Sequence, residues 1–412
     1  MPCLTFRIAV VAAAFVFTGC DHNAVEPQLT QLPRALTATE SQLVDADNAF
    51  AFRLLGAALR GDSAAGNVFL SPLSASMALG MALNGAAGAT ADSMRTALGY
   101  SSLSLADIDA GYRSLIALLS GLDASVTWDL ANSVWYRQDY VFRQSFLDTT
   151  RVYFSAAVTP LDFTAANAGA AINRWVSDRT QGRIQTIVPD ALPSDAIMYL
   201  VNAIYFKGAW TTRFDPARTQ PGSFAAPSGP VSVPMMHADD VPVRLGASGN
   251  GVLMVDLPYA RGAYAMTIVL PPVGASVDSL AQGLTQQQWD AWTGALGDVS
   301  TSVEMPKFTV RYGTALDDAL RALGMGIAFC DSMQFDFTGL DPSGRACLTG
   351  VRHEAFVQVD EAGTEASAAT SVGVGVTVAP QTILIDRPFL FAIRERLSGT
   401  ILFLGVIRDP SS

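Results

Sequence analysis

The sequence predicts an α+β fold in which helices come first and a mixed set of strands follows. Between Ser41 and Arg60 the apolar residues Leu43, Val44, Ala46, Phe50, Leu54, Leu55 and Ala58 recur at helical spacing, one face of an amphipathic helix. From Ala196 onward apolar residues gather instead in short β-branched or aromatic runs bounded by Gly and Pro. These runs do not alternate regularly with helices, as a parallel βαβ sheet would require.

In chain order, Ser71 offers a capping hydroxyl beside Pro72 at a first helical position, which predicts a helix over Pro72–Gly85. Ala171–Arg179 has helical spacing and stops near Gly182, a natural terminating glycine. Strands are expected over Ile197–Lys207, Val252–Pro258, Ala263–Leu270, Val303–Val310, His353–Val359 and Pro388–Ile393. No internal repeat or break in composition divides the chain, so one domain is expected over 41–410.

Composition narrows the function classes. Of 412 residues, 50% are hydrophobic and 15% charged, with 34 Gly and 21 Pro, which excludes a disordered, collagen-like or small disulfide-stapled chain. Lys plus Arg total 26 against 37 Asp plus Glu, and no basic run occurs, so nucleic acid is not an expected partner. The histidines are His22, His237 and His353, with no G-x-S-x-G elbow, no H-E-x-x-H and no phosphate loop, so an enzyme is not expected. No metal and no cofactor is expected either.

The start of the chain reads as an address. Ile8–Phe17 is an unbroken apolar run, followed by Thr18, Gly19 and Cys20. It is too short to span a bilayer as a helix, which takes ~20 residues, and it suits the core of a secretory signal. Small residues before a cysteine resemble the bacterial lipoprotein cleavage box. The expectation is a signal peptide over 1–19, lipidation at Cys20, and a lipid-anchored flexible linker over 20–40. The protein would then be exported and anchored in the cell envelope or on the cell surface, otherwise secreted, touching membrane only through its lipid. Cys330 and Cys347 can pair in an oxidising compartment, and two buried thiols are the equal alternative.

A segment near the C-terminus alternates with period two. Thr364, Ala366, Ala368, Thr370, Val372 and Val374 form one face, and Glu365, Ser367, Ala369, Ser371, Gly373 and Gly375 the other. Its glycines and the run Val376-Thr377-Val378-Ala379-Pro380 suit an exposed loop. The same segment can therefore serve as a loop in one state and a strand in another, with small residues at Ala366–Ala369 where neighbouring strands must part.

Several stretches, taken in order, resemble the serpins, a family of serine protease inhibitors. They are NVFLSPLSASMALGMALNGAAGAT (67–90), INRWVSDRTQGRIQTIVP (172–189), VNAIYFKGAW (201–210), MPKF (305–308), FDFTGL (335–340), HEAFVQVDEAGTEASAAT (353–370) and PFLFAIRERLSGTILFLGVIRDP (388–410). The resemblance implies a multi-helix domain with three β-sheets and an exposed reactive-centre loop able to insert into the large central sheet. It also implies an irreversible suicide-substrate inhibitor of serine endopeptidases, a monomer, trapped as the acyl-enzyme. The family register, counted from Gly363 and back from Pro388, places the reactive bond at Thr377-Val378, with Val376 or Val378 as alternative specificity residues. These small β-branched residues suit an elastase-like or subtilisin-like target. The implied hinge is Glu361, Gly363, Thr364, Glu365, Ala366, Ser367, Ala368, Ala369 and Thr370, with Glu365 on the outward face. A polar cluster beneath the sheet, the shutter, is implied at Ser71, Ser74, Asn202 and His353, holding the central strands together. A gate at the sheet's top, the breach, is implied at Trp210, Lys307 and Glu361. The alternatives are a non-inhibitory carrier or structural member and a cross-class inhibitor of cysteine proteases.

Overall fold

The computed structural model describes residues 27–61, 66–365 and 382–412. Its helices of seven or more residues are α1 (Ala38–Gly61), α2 (Pro72–Leu83), α3 (Gly88–Leu98), α4 (Leu105–Ser120), α5 (Gln144–Tyr153), α6 (Ala168–Arg179), α7 (Val277–Gly283) and α8 (Gln286–Gly294). The first strands are β1 (Val68–Leu70), β2 (Val126–Arg137), β3 (Ala157–Leu161), β4 (Met198–Ala209), β5 (Gln220–Ala226), β6 (Gly229–Ala247), β7 (Leu253–Tyr259) and β8 (Tyr264–Leu270). They are followed by β9 (Gly297–Pro306), β10 (Phe308–Ala315), β11 (Arg352–Asp360), β12 (Gly363–Thr364), β13 (Ile383–Leu384), β14 (Phe389–Glu395) and β15 (Ile401–Ile407). The class is α+β, as expected.

The six-stranded sheet runs β10-β11-β12-β4-β2-β3. The central pair β2 and β4 is the longest ladder, Val126↔Gly208 through Tyr136↔Met198. Helix α2, apolar on nearly every side, is buried with α1 beneath this sheet in the main core. A second core lies on the sheet's other face, where Ile172 and Val176 of α6 pack with Ala131 and Trp135 of β2 and Val201 and Ala203 of β4.

Where three sheets were expected, hydrogen bonding joins the described strands into two. The reason is β6, which pairs β5 through its first half and β7 through its second, and shifts register against β9 between Ala238 and Val241. One continuous strand thus carries two sheet segments, making a nine-stranded sheet.

Two further expectations change. Val303–Val310 is not one strand: β9 ends at Pro306 in the nine-stranded sheet and β10 starts at Phe308 in the other. The linker expected as far as residue 40 is docked from its midpoint. Leu29, Leu32 and Leu36 pack against the core, Leu29 N–H donates to Arg261 O at 2.8 Å, and Arg34 bonds Glu40 in the first turn of α1. Partial burial of three leucines, with the Leu29 and Arg34 bonds, outweighs the freedom that Pro27 and Pro33 suggested. Cys330 and Cys347 are joined by a disulfide, with Cα atoms 5.0 Å apart.

Candidate functional site at the opening of the central sheet

The site is built around a hairpin. Strand β11 ends at Asp360, the chain reverses through Glu361 and Ala362, and β12 returns antiparallel, with Asp360↔Gly363 and Val359↔Thr364. On its other edge β12 pairs β4, Gly363↔Ala209 and Thr364↔Gly208. Strands β4 and β11 therefore run in the same direction, and among the described residues no ladder joins them directly. The start of the predicted hinge is already a strand between them.

The reversal is pinned by its carbonyls. Asp360 O accepts from Trp210 Nε1 at 2.9 Å, Glu361 O from Phe214 N at 3.0 Å and Ala362 O from Trp210 N at 3.0 Å. Lys307 Nζ lies 2.8 Å from Glu361 Oε2, and Thr219 Oγ1 donates to Glu361 Oε1 at 2.7 Å. Burial alone would push the Glu361 carboxyl up, yet the Lys307 and Thr219 bonds outweigh it and hold it below the usual range. The geometry thus brings the breach residues Trp210, Lys307 and Glu361 together.

Gly363 is required where it stands. Its φ is +146°, and a Cβ there would meet Gly208 O at 2.1 Å. Thr364 faces the main core, where its hydroxyl meets Tyr259 Oη at 2.6 Å. Tyr259 stacks on Trp210 with ring centres 4.5 Å apart, completing the floor of the breach. Glu365 points to the opposite face, as the period-two pattern requires, but it is buried rather than exposed, 3.3 Å from Arg183 Nε, because the chain following α6 covers it.

Beneath the sheet, His353 of β11 accepts at Nε2 from Ser71 N–H at 3.1 Å, and burial lowers its pKa to about 4. Ser74 Oγ donates to Asn202 O at 3.2 Å. Asn202 Nδ2 donates to Asn132 Oδ1, and Asn132 Nδ2 to Phe154 O at 2.6 Å. Among the described residues Asn202 and His353 do not bond each other, so the shutter ties β4 and β11 each to the start of α2 rather than to one another, while Asn202 also joins β4 to β2. The Ser71 hydroxyl does not cap that helix as predicted; it donates across to Leu402 O at 3.0 Å on β15. A cavity of about 170 Å³ lies below, lined by Ser74, Leu79, Leu200, Asn202, Leu348 and His353 among others.

Hinge residues Ala366, Ser367, Ala368, Ala369 and Thr370, the reactive positions Val376, Thr377 and Val378, and Cys20 lie outside the described residues. Tyr259, Thr219, Asn132 and Arg183 belong to the site and were not singled out from the sequence. They sit in unremarkable local patterns, and only the fold brings them to the hinge.

Comparison with known proteins fits this geometry. Residues 45–410 match the sequence model of the family described as Serpin (serine protease inhibitor). An uncharacterized serpin-like protein of Thermococcus kodakarensis is 33% identical over 383 residues, covering 90% of this chain and 86% of its own. Human serpin B9 is 32% identical over 377 residues, covering 89% and 99%. Among solved structures, the thermophilic serpin tengpin in its native state superposes with a TM-score of 0.81 at 26% identity, covering 92% of this chain and 96% of its own. Human thyroxine-binding globulin, complexed with its hormone, gives 0.82 at 28%, covering 90% and 100%. The chain is a member of the serpin family. Members are mostly protease inhibitors rather than enzymes, and some, thyroxine-binding globulin among them, are non-inhibitory.

Proposed function

We propose that the protein is a suicide-substrate inhibitor of serine endopeptidases, with its reactive bond at Thr377-Val378 or one residue to either side. The observation that carries this reading is the position of Gly363 and Thr364, paired on both edges between β4 and β11, two parallel strands that make no ladder with each other among the described residues. A filling strand there is antiparallel to both neighbours, the slightly more stable pairing. Cleavage would release the hinge to continue. Thr364 to Thr377, extended at ~3.3 Å per residue, spans ~45 Å. That displacement would carry the acyl-linked protease across the sheet and distort its oxyanion hole before deacylation.

The energy comes from the strand. Each new ladder bond contributes a net ~1 kcal/mol and the core-facing side chains add apolar burial, so on the order of 10 kcal/mol is available. The intact form is then a kinetic trap. Val376, Thr377 and Val378 suit the shallow specificity pocket of elastase-like or subtilisin-like enzymes, and Cys20 would place the inhibitor on a membrane through its lipid. Thyroxine-binding globulin has the same fold, so the fold alone does not separate inhibition from carriage. The small, proline-free hinge from Thr364 to Thr370 favours inhibition.

The test is to mix the soluble mature chain with an elastase-type protease and analyse the products by denaturing gel and mass spectrometry. A complex that survives denaturation, with a peptide released from Val378, is expected. Cleavage without a covalent complex by elastase-type and subtilisin-type enzymes alike would contradict inhibition of these targets.

A further inference from the structure

We infer that Arg183 and Glu365 form a latch that stops the hinge just after Thr364 and sets the rate at which the loop enters the sheet. This rests on the insertion reading above, and it concerns a contact outside the breach and the shutter.

At Gly363 and Thr364 the chain pairs with both β11 and β4. At Glu365 φ is +53°, a conformation that residues other than glycine rarely adopt and that turns the chain out of an extended path. Its N–H still donates to Gln358 O of β11 at 3.2 Å, so the departure begins at this residue. The side chain crosses to the face covered by α6, where its carboxylate is 3% exposed. One oxygen, Oε1, lies 3.3 Å from Arg183 Nε; the other, Oε2, is buried with no hydrogen-bond partner among the described residues. Tyr205 of β4 faces the same carboxyl. A carboxylate so enclosed is costly unless paired; Arg183 is its contacting cation, and Lys207 adds positive charge nearby.

Arg183 is itself held at two places. Its guanidinium lies over the Phe356 ring of β11, 5.2 Å from the centroid. Its backbone follows α6 directly, where Arg183 N–H donates to Thr180 O and Ile184 N–H to Thr180 Oγ1. The same connection continues into Thr186–Pro189, which lies beside Arg352–Glu354 of β11 at the lower end of the gap. For the strand to lengthen, Glu365 must become extended and this covering segment must move. The latch ties the two, so that the hinge cannot advance while the cover stays in place.

The test compares intact wild type, Arg183→Ala, Glu365→Gln and the double variant. Each is held at a fixed elevated temperature, and conversion of uncleaved chain to a heat-resistant form that no longer traps protease is followed over time. Each single variant is expected to convert several-fold faster, and the double variant no faster than either alone, because both remove one contact. Unchanged or slower conversion, or rate effects that multiply in the double variant, would overturn the latch. A folding defect is separated by near-ultraviolet circular dichroism and by Arg183→Lys, which keeps the charge and should recover part of the wild-type rate. Wild type cleaved in the loop by a non-target protease serves as the control. If that product gains no heat resistance, the insertion reading fails and the latch with it, whereas a heat-resistant product with unaltered variant rates overturns the latch alone.

Discussion

Thr364 is the first hinge side chain that must enter the main core, and it is already there, against the Tyr259 hydroxyl. Burial pushes the Tyr259 pKa up, so this neighbour stays a neutral phenol and offers a guanidinium no counter-charge. Thr364→Arg would therefore require an unpaired charge inside the sheet. The expected outcome is a protein that the protease cleaves without being trapped, read as loss of the covalent complex with loop cleavage retained; undiminished complex formation would contradict insertion. His353 gives a pH signature. Burial holds its pKa at about 4 in the fold, against about 6.5 when unfolded, so the unfolded chain binds the extra proton between these values. Its stabilising contribution is fully present above pH ~6.5 and is lost as pH falls toward ~4, by a few kcal/mol at most. Asp47 acts in the opposite sense: burial raises its carboxyl to about 7, so its stability contribution falls as pH rises toward 7. Denaturant unfolding across this range should show the acid-side loss shrink in His353→Gln and the opposing slope shrink in Asp47→Asn, with Asp109, raised to about 6, keeping part of it.

At the scale of elements, the disulfide and the strand boundaries show what a sequence reveals and what it hides. The Cys330–Cys347 bridge spans 17 residues and anchors the chain that leads through Leu348 into β11. Closing a loop of that length contributes ~3 kcal/mol, so Cys347→Ser or a reductant should lower the melting temperature by several degrees, measured by calorimetry. Sequence spacing alone left pairing and free thiols equal, because disulfide geometry depends on how the chain folds back. Helices α1 and α6 were legible from their apolar spacing, α2 from Pro72 at its first position, and strands β4, β7, β8, β11 and β14 from short β-branched or aromatic runs bounded by Gly and Pro. Strand β2 was missed for a physical reason: its middle carries Asn132 and Ser133, both buried, and polar residues break the expected strand pattern. Strand β6 was hidden by Pro230, Pro234 and Pro242, which ordinarily argue against a strand. The division at Lys307 escaped because a change of sheet leaves no periodic trace. The breach was legible only as a resemblance, since Glu361, Lys307 and Trp210 are far apart in sequence and nothing local to them predicts contact, whereas the hinge also showed in its period-two alternation. The latch partner of Glu365 had no sequence signal at all.

For the whole molecule, the two cores play different parts. The main core holds α1, α2 and strands of both sheets together. The smaller core under α6 lies against β2 and β4, on the face beside which Glu365 is held, and on the insertion reading it has to yield for the hinge to advance. Helix α4 carries Arg113 as its one basic residue, which gives a polyanionic activator little to bind on that helix. The central claim is that cleavage drives the loop between β4 and β11. Amide hydrogen exchange of the intact and loop-cleaved protein, followed in peptides covering Met198–Ala209 and Arg352–Asp360, tests it most directly. The account predicts strong new protection along both strands after cleavage, accompanied by a large rise in melting temperature. Equal exchange in the two forms, with the cleaved protein no more heat-resistant than the intact one, would contradict it.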